Sequence, residues 1–188
     1  VMSFGTTAFA ATFTDVPEKH WGYGFIEKAV ANDLVKGMGN GKYAPDANVT
    51  NAEWSQMIVN LFDPARNALG GGEGTKWYDG ALDFTDRGGF LKGTVMGNKG
   101  VKNGKYDATM ANTAINRYDM AQVIYNIAKD RLFGFDLTVN TNGIGNYIGD
   151  YRDVSATTYR DAVDYCYAAG FITGRDTVGT FAGSATMT

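Results

Sequence analysis

The residues able to do covalent or metal chemistry are few and stand alone. His20 is the only histidine and Cys166 the only cysteine of the 188-residue chain. A zinc site or a metalloprotease base needs such residues in company, as HxH, HExxH or mixed Cys/His clusters, and the sequence holds none. Cys166 falls on an apolar helical stripe, which reads as a small core residue rather than a nucleophile. It has no partner for an internal disulfide. Carboxylates are plentiful, so a pair for glycoside chemistry is not excluded by type, yet no spacing singles one out. Gly97-Asn98-Lys99-Gly100 lacks the strand–helix context of a phosphate loop. The Asn140–Asp153 stretch lacks EF-hand spacing. No catalytic residue, metal ligand or cofactor is expected, and the chemistry left is non-covalent recognition.

The elements that would position such recognition are capped helices. Thr50 followed by Glu53 is a capping box: the hydroxyl accepts from one free N–H and the carboxylate reaches back to another. Behind it Trp54, Met57, Ile58, Leu61 and Phe62 make one apolar stripe at helical spacing. The pattern returns 66 positions later, with Asn116 as cap, Asp119 in the Glu place, and Met120, Val123, Ile124, Ile127 and Ala128 behind. A third copy begins at Thr188.

Each capped helix is preceded by another. Trp21, Phe25 and Ala29, with Ile26 and Val30, predict the apolar face of the first. Tyr159, Ala162, Val163, Cys166 and Tyr167 repeat it in the last unit. The middle one is expected to be short, around Trp77 to Phe84, with Gly93–Gly104 as extra loop. Phe13-Thr14-Asp15-Val16 opens the first unit and Tyr151-Arg152-Asp153-Val154 another, 138 positions on. The same offset carries Gly41 to Gly179, Tyr43 to Phe181 and Thr50 to Thr188. Three repeats are therefore expected at 12–62, 77–131 and 151–188, the last incomplete, with Gly- and Asn-rich linkers at 63–76 and 132–150, all within one domain.

Composition narrows the partners. A net charge of -3 without a basic patch gives no case for nucleic acid. No run approaches the roughly 20 apolar residues of a membrane span, so no transmembrane segment is expected. Residues 1–11 are apolar and rich in small residues, and Ala8-Phe9-Ala10 fits a signal-peptidase site, so they read as a signal-peptide remnant.

The ordered set Phe13-x-Asp15-Val16, His20-Trp21, Gly37, Tyr43-Ala44-Pro45 and Thr50-Asn51-Ala52-Glu53 closely resembles the S-layer homology (SLH) domain. The resemblance covers Phe13 to Leu61 well, Trp77 to Ala128 loosely and Tyr151 to Thr188 well. It implies a mainly α fold with little or no β: three helix-loop-helix repeats in a pseudo-threefold arrangement around a central bundle of capped helices. It further implies a secreted, cell-surface module that holds proteins on the bacterial wall. The ligand would be a secondary cell-wall polysaccharide, often bearing a pyruvylated sugar, bound in grooves between repeats.

A pyruvyl carboxylate suits the free amides and positive dipole of a helix N-terminus, and an Arg inside the cap adds a bidentate fork. By position that role falls to Asn116 and Arg117. The first repeat has Thr50 and Asn51, with Asn where the family has Arg, and the third reaches Thr188 before its Arg position. Trp21 and Trp77 are candidates for sugar stacking, and Asp15 and Asp153 for bracing each loop beside a groove. A structural or protein-interaction role on a degenerate SLH fold is the alternative. If Thr188 caps a helix, the uncovered stripes favour homo-oligomers, or covering by Met2–Phe9.

Overall fold

The computed structural model describes residues 12–63, 76–102, 105–130, 132 and 137–188. The expected leader and the Gly70-Gly71-Gly72 linker lie outside the described residues. The chain divides into two compact units, Val1–Ala47 and Asn48–Thr188.

In the first unit the core is small. Phe13, Val16 and Ile26 are buried, with Tyr23, Val30 and Tyr43 packed around them. Ile26 is supplied by helix α1 (Tyr23–Ala31). The helix also holds the incoming chain: the Glu27 carboxylate accepts from the Thr12 amide at 2.9 Å and its hydroxyl at 2.7 Å. The apolar face expected on α1 is not buried as a whole. Ile26 turns inward, whereas Trp21 and Phe25 are 78% and 73% exposed.

The second unit begins with α2 (Asn51–Phe62), whose Thr50–Glu53 capping box forms as expected. The Glu53 carboxylate accepts from the Thr50 amide at 2.8 Å, and the Thr50 hydroxyl accepts from the Glu53 amide at 3.2 Å. The buried side is rotated from the predicted stripe. Ala52, Ser55, Ile58 and Val59 face inward, and Leu61 is exposed. The helices α3 (Asp79–Arg87), α4 (Val95–Lys99), α5 (Ala108–Ala111), α6 (Arg117–Lys129), α7 (Tyr151–Ser155) and α8 (Arg160–Ala168) follow. A two-stranded antiparallel pairing of β1 (Val101–Lys102) with β2 (Lys105–Tyr106) lies between α4 and α5. The fold is mainly α, as expected. Gly93–Gly104 is not plain loop: the Thr94 side chain caps α4, and Met96 is fully buried.

Two buried clusters support this unit. One gathers Ala52, Ile58, Leu82, Phe90, Met96, Val123 and Ile127, the other Met120, Ala121, Val154, Val163, Cys166 and Phe181, and Trp54 packs against both. The main partner of α2 is α3, and that of α6 is α8. The capped helix α2 thus covers α3, and the capped helix α6 covers α8.

Local geometry recurs along the chain. The helices α1, α3 and α8 each end in a left-handed residue: Asp33 (φ 55°), Gly89 (φ 74°) and Gly170 (φ 73°). The next amide then reaches five residues back, from Leu34 to Ala29, Phe90 to Thr85 and Phe171 to Cys166, each at 2.9 Å. The stretches ahead of the caps close on one another in a ring. The Val49 amide donates to the Met187 carbonyl (2.8 Å), Met187 to Ile115 (3.1 Å) and Ile115 back to Val49 (2.8 Å).

Candidate functional site

The N-terminus of α6 is built as its sequence dictates. The Asn116 side chain accepts from the Asp119 amide at 2.8 Å, replacing a partner the first turn lacks. The other early amides are also engaged. Arg117 donates to the Ala185 carbonyl at 3.0 Å, Tyr118 to Gly183 at 2.9 Å and Met120 to Asn116 at 3.0 Å. The expected anion site of free first-turn amides is therefore filled by the protein's own carbonyls. The positive charge at this end of the helix comes from a side chain.

That side chain is Arg117, 7% exposed. Its Nε–H donates to the Phe181 carbonyl at 2.6 Å and an Nη2–H to the Thr173 carbonyl at 2.5 Å. The guanidinium lies 4.8 Å from the Phe181 ring centroid, a cation–π contact. No carboxylate forms an ion pair with it among the described residues. Burial lowers its pKa, and the positive charge of Arg175 lowers it further, while Asp150 acts the other way.

Asn51 holds the same position in α2 and does related work. Its Nδ2 donates to the Met110 carbonyl at 3.0 Å and the Thr113 carbonyl at 3.2 Å. The residue after each cap is thus a strap onto the backbone that follows. The shorter amide suffices where α5 brings those carbonyls close. Tyr118 adds a stacked contact on Tyr159, 5.0 Å between centroids and 15° between planes. Its ring lies directly on Gly183, where a Cβ would come within 2.1 Å, so a side chain at 183 would displace it.

Asp119 does not complete a capping box as Glu53 does. Its carboxylate is 2% exposed and accepts from the Val95 amide at 3.0 Å and the Tyr159 hydroxyl at 2.8 Å. Burial raises its pKa against the pull of these bonds. Asp119 therefore ties α6 to the start of α4 and to α8.

Asp15 braces its loop as expected. Its carboxylate accepts from the Tyr43 amide at 2.9 Å and the Ala44 amide at 2.8 Å. These bonds, Tyr43 first, lower its pKa. The left-handed Ala44 (φ 61°) makes the two amides converge, a backbone nest filled by an internal anion.

The residue that matches Asp15 near the end of the chain is not Asp153. Asp150 accepts from the Phe181 amide at 2.6 Å and the Ala182 amide at 2.9 Å, and Ala182 is left-handed at φ 51°. Asp153 is exposed on α7 and its side chain takes no hydrogen bond among the described residues. The true counterpart of Phe13-Thr14-Asp15 is Ile148-Gly149-Asp150. Thr14 donates to Gly41 and Gly149 to Gly179, at 2.8 and 3.2 Å. Three extra residues between Asp150 and the loop shift the register. Asp150→Ala is expected to cost about 2 kcal/mol, two charge-assisted bonds to half-buried amides, and Asp153→Ala less than about 0.5 kcal/mol. Urea denaturation of the two variants checks this; equal losses would contradict it.

Trp21 stands beside His20 at 5.7 Å between ring centroids. Trp77 is 56% exposed, its ring edge-on to buried Tyr78 at 5.3 Å. Both tryptophans, the candidates for sugar stacking, are open to solvent. Cys166 is fully buried, and burial pushes its thiol up to about 12, so it is an inert core group.

Residues 12–53 match the family model of the S-layer homology domain. That stretch is similar to an SLH domain. That match runs from the Phe13 core through the Asp15 nest to the Thr50–Glu53 cap. Two curated relatives are S-layer proteins: "S-layer protein sap" of Bacillus anthracis, 31% identical over 119 residues, and an S-layer protein of Bacillus thuringiensis subsp. finitimus, 29% identical over 119 residues. Each alignment covers 60% of this chain and 14% of the relative. "Exoglucanase XynX" of Acetivibrio thermocellus is 28% identical over 93 residues, 47% of this chain and 8% of that protein. The chain thus aligns with a small part, at most 14%, of these much longer relatives. No described helix is long and apolar enough to cross a membrane.

Proposed function

We propose that this chain is a non-catalytic anchoring module of a secreted protein, holding it at the bacterial cell wall by binding an acidic wall polysaccharide. The observation that carries the reading is Arg117. A buried guanidinium with no carboxylate partner among the described residues is a costly arrangement, and Arg175 adds a second positive charge to its surroundings. A sugar-borne carboxylate, such as a pyruvyl ketal, would neutralise both. Exposed Trp21 and Trp77 would take apolar sugar faces. On this reading Thr50, Asn51, Asn116 and Asp15 position the backbone, and Asp153 has no contact of its own. The three repeats together make up the module, the last opening at Ile148-Gly149-Asp150.

The test is co-sedimentation of the purified protein with cell-wall sacculi, intact or stripped of their secondary polymer. Retention is expected on intact walls only. Arg175→Glu, at an exposed position, is expected to cut retention about tenfold or more without lowering the melting temperature. Equal retention on stripped walls, or unchanged retention of Arg175→Glu, would refute the reading.

A further inference from the structure

The left-handed exits of α1 and α8 lie ten residues before Tyr43 and eleven before Phe181, whereas seventeen separate Gly89, the exit of α3, from Tyr106. The longer connection holds α4 and the β1–β2 ribbon. From Gly88 to Tyr106 it carries Lys92, Lys99, Lys102 and Lys105 and no acidic residue, in a chain of net charge -3. These lysines form no basic run in the sequence; the ribbon brings them to one face. Lys102 stands opposite Lys105, and Val101 opposite Tyr106. Side chains alternate across a strand, so Val101 and Tyr106 share a half-buried face and the two lysines the exposed one. Lys99, also exposed, ends α4, which packs on β1. The base beneath is fixed: Met96 is fully buried, and the Asp107 amide donates to the Gly100 carbonyl at 2.8 Å. Lys99, Lys102 and Lys105 form no ion pair among the described residues. The acids of α3, Asp79, Asp83 and Asp86, act on Tyr106, on the other face of the ribbon.

Like charges directly opposite one another across a ribbon are destabilising, with Cβ atoms only about 4.5–5.5 Å apart. One edge lysine is enough to deter unwanted strand pairing, so that role does not account for a facing pair with a third charge beside it. We propose that Lys99, Lys102 and Lys105 form a docking surface for a phosphodiester-linked polyol chain, of the poly(glycerol phosphate) type. Its phosphates bring the negative charge that relieves the repulsion between the lysines. An ammonium is a compact point charge with three rotatable donors, suited to phosphates on a flexible chain. The segment holds no Arg, whose planar fork demands a fixed bidentate geometry. The surface does not rest on Arg117, and it serves a polymer whose charge is phosphate rather than the sugar carboxylate proposed above.

The probe is poly(glycerol phosphate) of defined length, titrated calorimetrically into the full chain at several salt concentrations. Saturable binding is expected, with log K falling against log salt at a slope of about 2, roughly 0.7 for each of three phosphates neutralised. Replacing Lys99, Lys102 and Lys105 together by Gln is expected to weaken binding at least tenfold, flatten the salt slope and leave the melting temperature unchanged or raised. The same change of net charge made at exposed Lys19, Lys28 and Lys36 should leave binding within twofold of wild type, as should Arg175→Glu. Absence of binding, or equal binding by the Lys99/Lys102/Lys105 variant, would overturn the proposal. A loss on Arg175→Glu would move the polymer to the Arg117 site and reject the ribbon. Equal affinity for polyglutamate or for single-stranded DNA would reject a phosphodiester polyol in favour of polyanions at large or of nucleic acid.

Discussion

Arg117→Ala is expected to lower the stability of the second unit by about 2–4 kcal/mol and to abolish retention on intact cell walls. The wild-type side chain gives two charged hydrogen bonds, to the carbonyls of Phe181 and Thr173, and lies on the Phe181 ring. Each such bond is worth roughly 1.5–3 kcal/mol, and truncation leaves the buried Phe181 carbonyl unpaired. Part of this is offset, because the mutation also removes a buried charge. Arg117→Met, which keeps the volume without the charge, separates the two effects: it should recover part of the stability and none of the wall binding. Asn51→Ala is expected to cost about 1 kcal/mol and leave retention near normal, since it removes a neutral strap. Melting curves and sacculus pull-downs on the same samples decide; wall binding unaffected by Arg117→Met would remove this residue from the site.

Phe181→Ala is expected to be the most damaging single truncation, at about 3–5 kcal/mol. Phe181 is fully buried and serves several neighbours at once. Its ring carries the Arg117 guanidinium and tilts against Tyr118 at 5.7 Å. Its amide feeds Asp150 and its carbonyl accepts from Arg117. Loss of the ring opens a cavity and loosens the residues that hold the guanidinium in place. Trp21→Ala, by contrast, removes a side chain 78% exposed and should change stability by no more than about 0.5 kcal/mol. Urea denaturation of both variants is the measurement, and a loss below about 2 kcal/mol at Phe181 would contradict the account.

What could be read from the sequence follows the reach of each signal. The Thr50 and Asn116 caps were legible because capping is local: a donor and acceptor three residues apart settle it. The α8 face was legible because both sides of that helix position are covered, so Ala162, Val163 and Cys166 are buried as their spacing predicts. The α1 face misled for the converse reason. Periodicity reports which residues share a side, and burial of that side depends on a neighbour that no spacing encodes.

Asp150 was missed through register. The offset that relates Tyr43 to Phe181 is right for the loop and wrong for the residue that braces it, because residues are inserted between the two. The apolar-x-Asp pattern of Ile148-Gly149-Asp150 was the available clue. Arg117 was found by position, but its partners are carbonyls, and carbonyls have no residue type to read. The helix within Gly93–Gly104 was hidden by glycine content, although Thr94 ahead of Gly97 was a cap in plain sight.

The backbone ring of Val49, Ile115 and Met187 sets the order in which this protein can be made. Val49 and Met187 lie at opposite ends of the second unit, so a ribosome must finish nearly all of it before the ring can close. Helices such as α2 and α3 can pair while synthesis continues, since they are close in sequence. The ring cannot, and contacts of such long separation are slow to form. Until closure, the apolar sides of the capped helices stay within reach of other chains, which is when aggregation competes. The amides of Val49, Ile115 and Met187 should accordingly gain exchange protection together, and last.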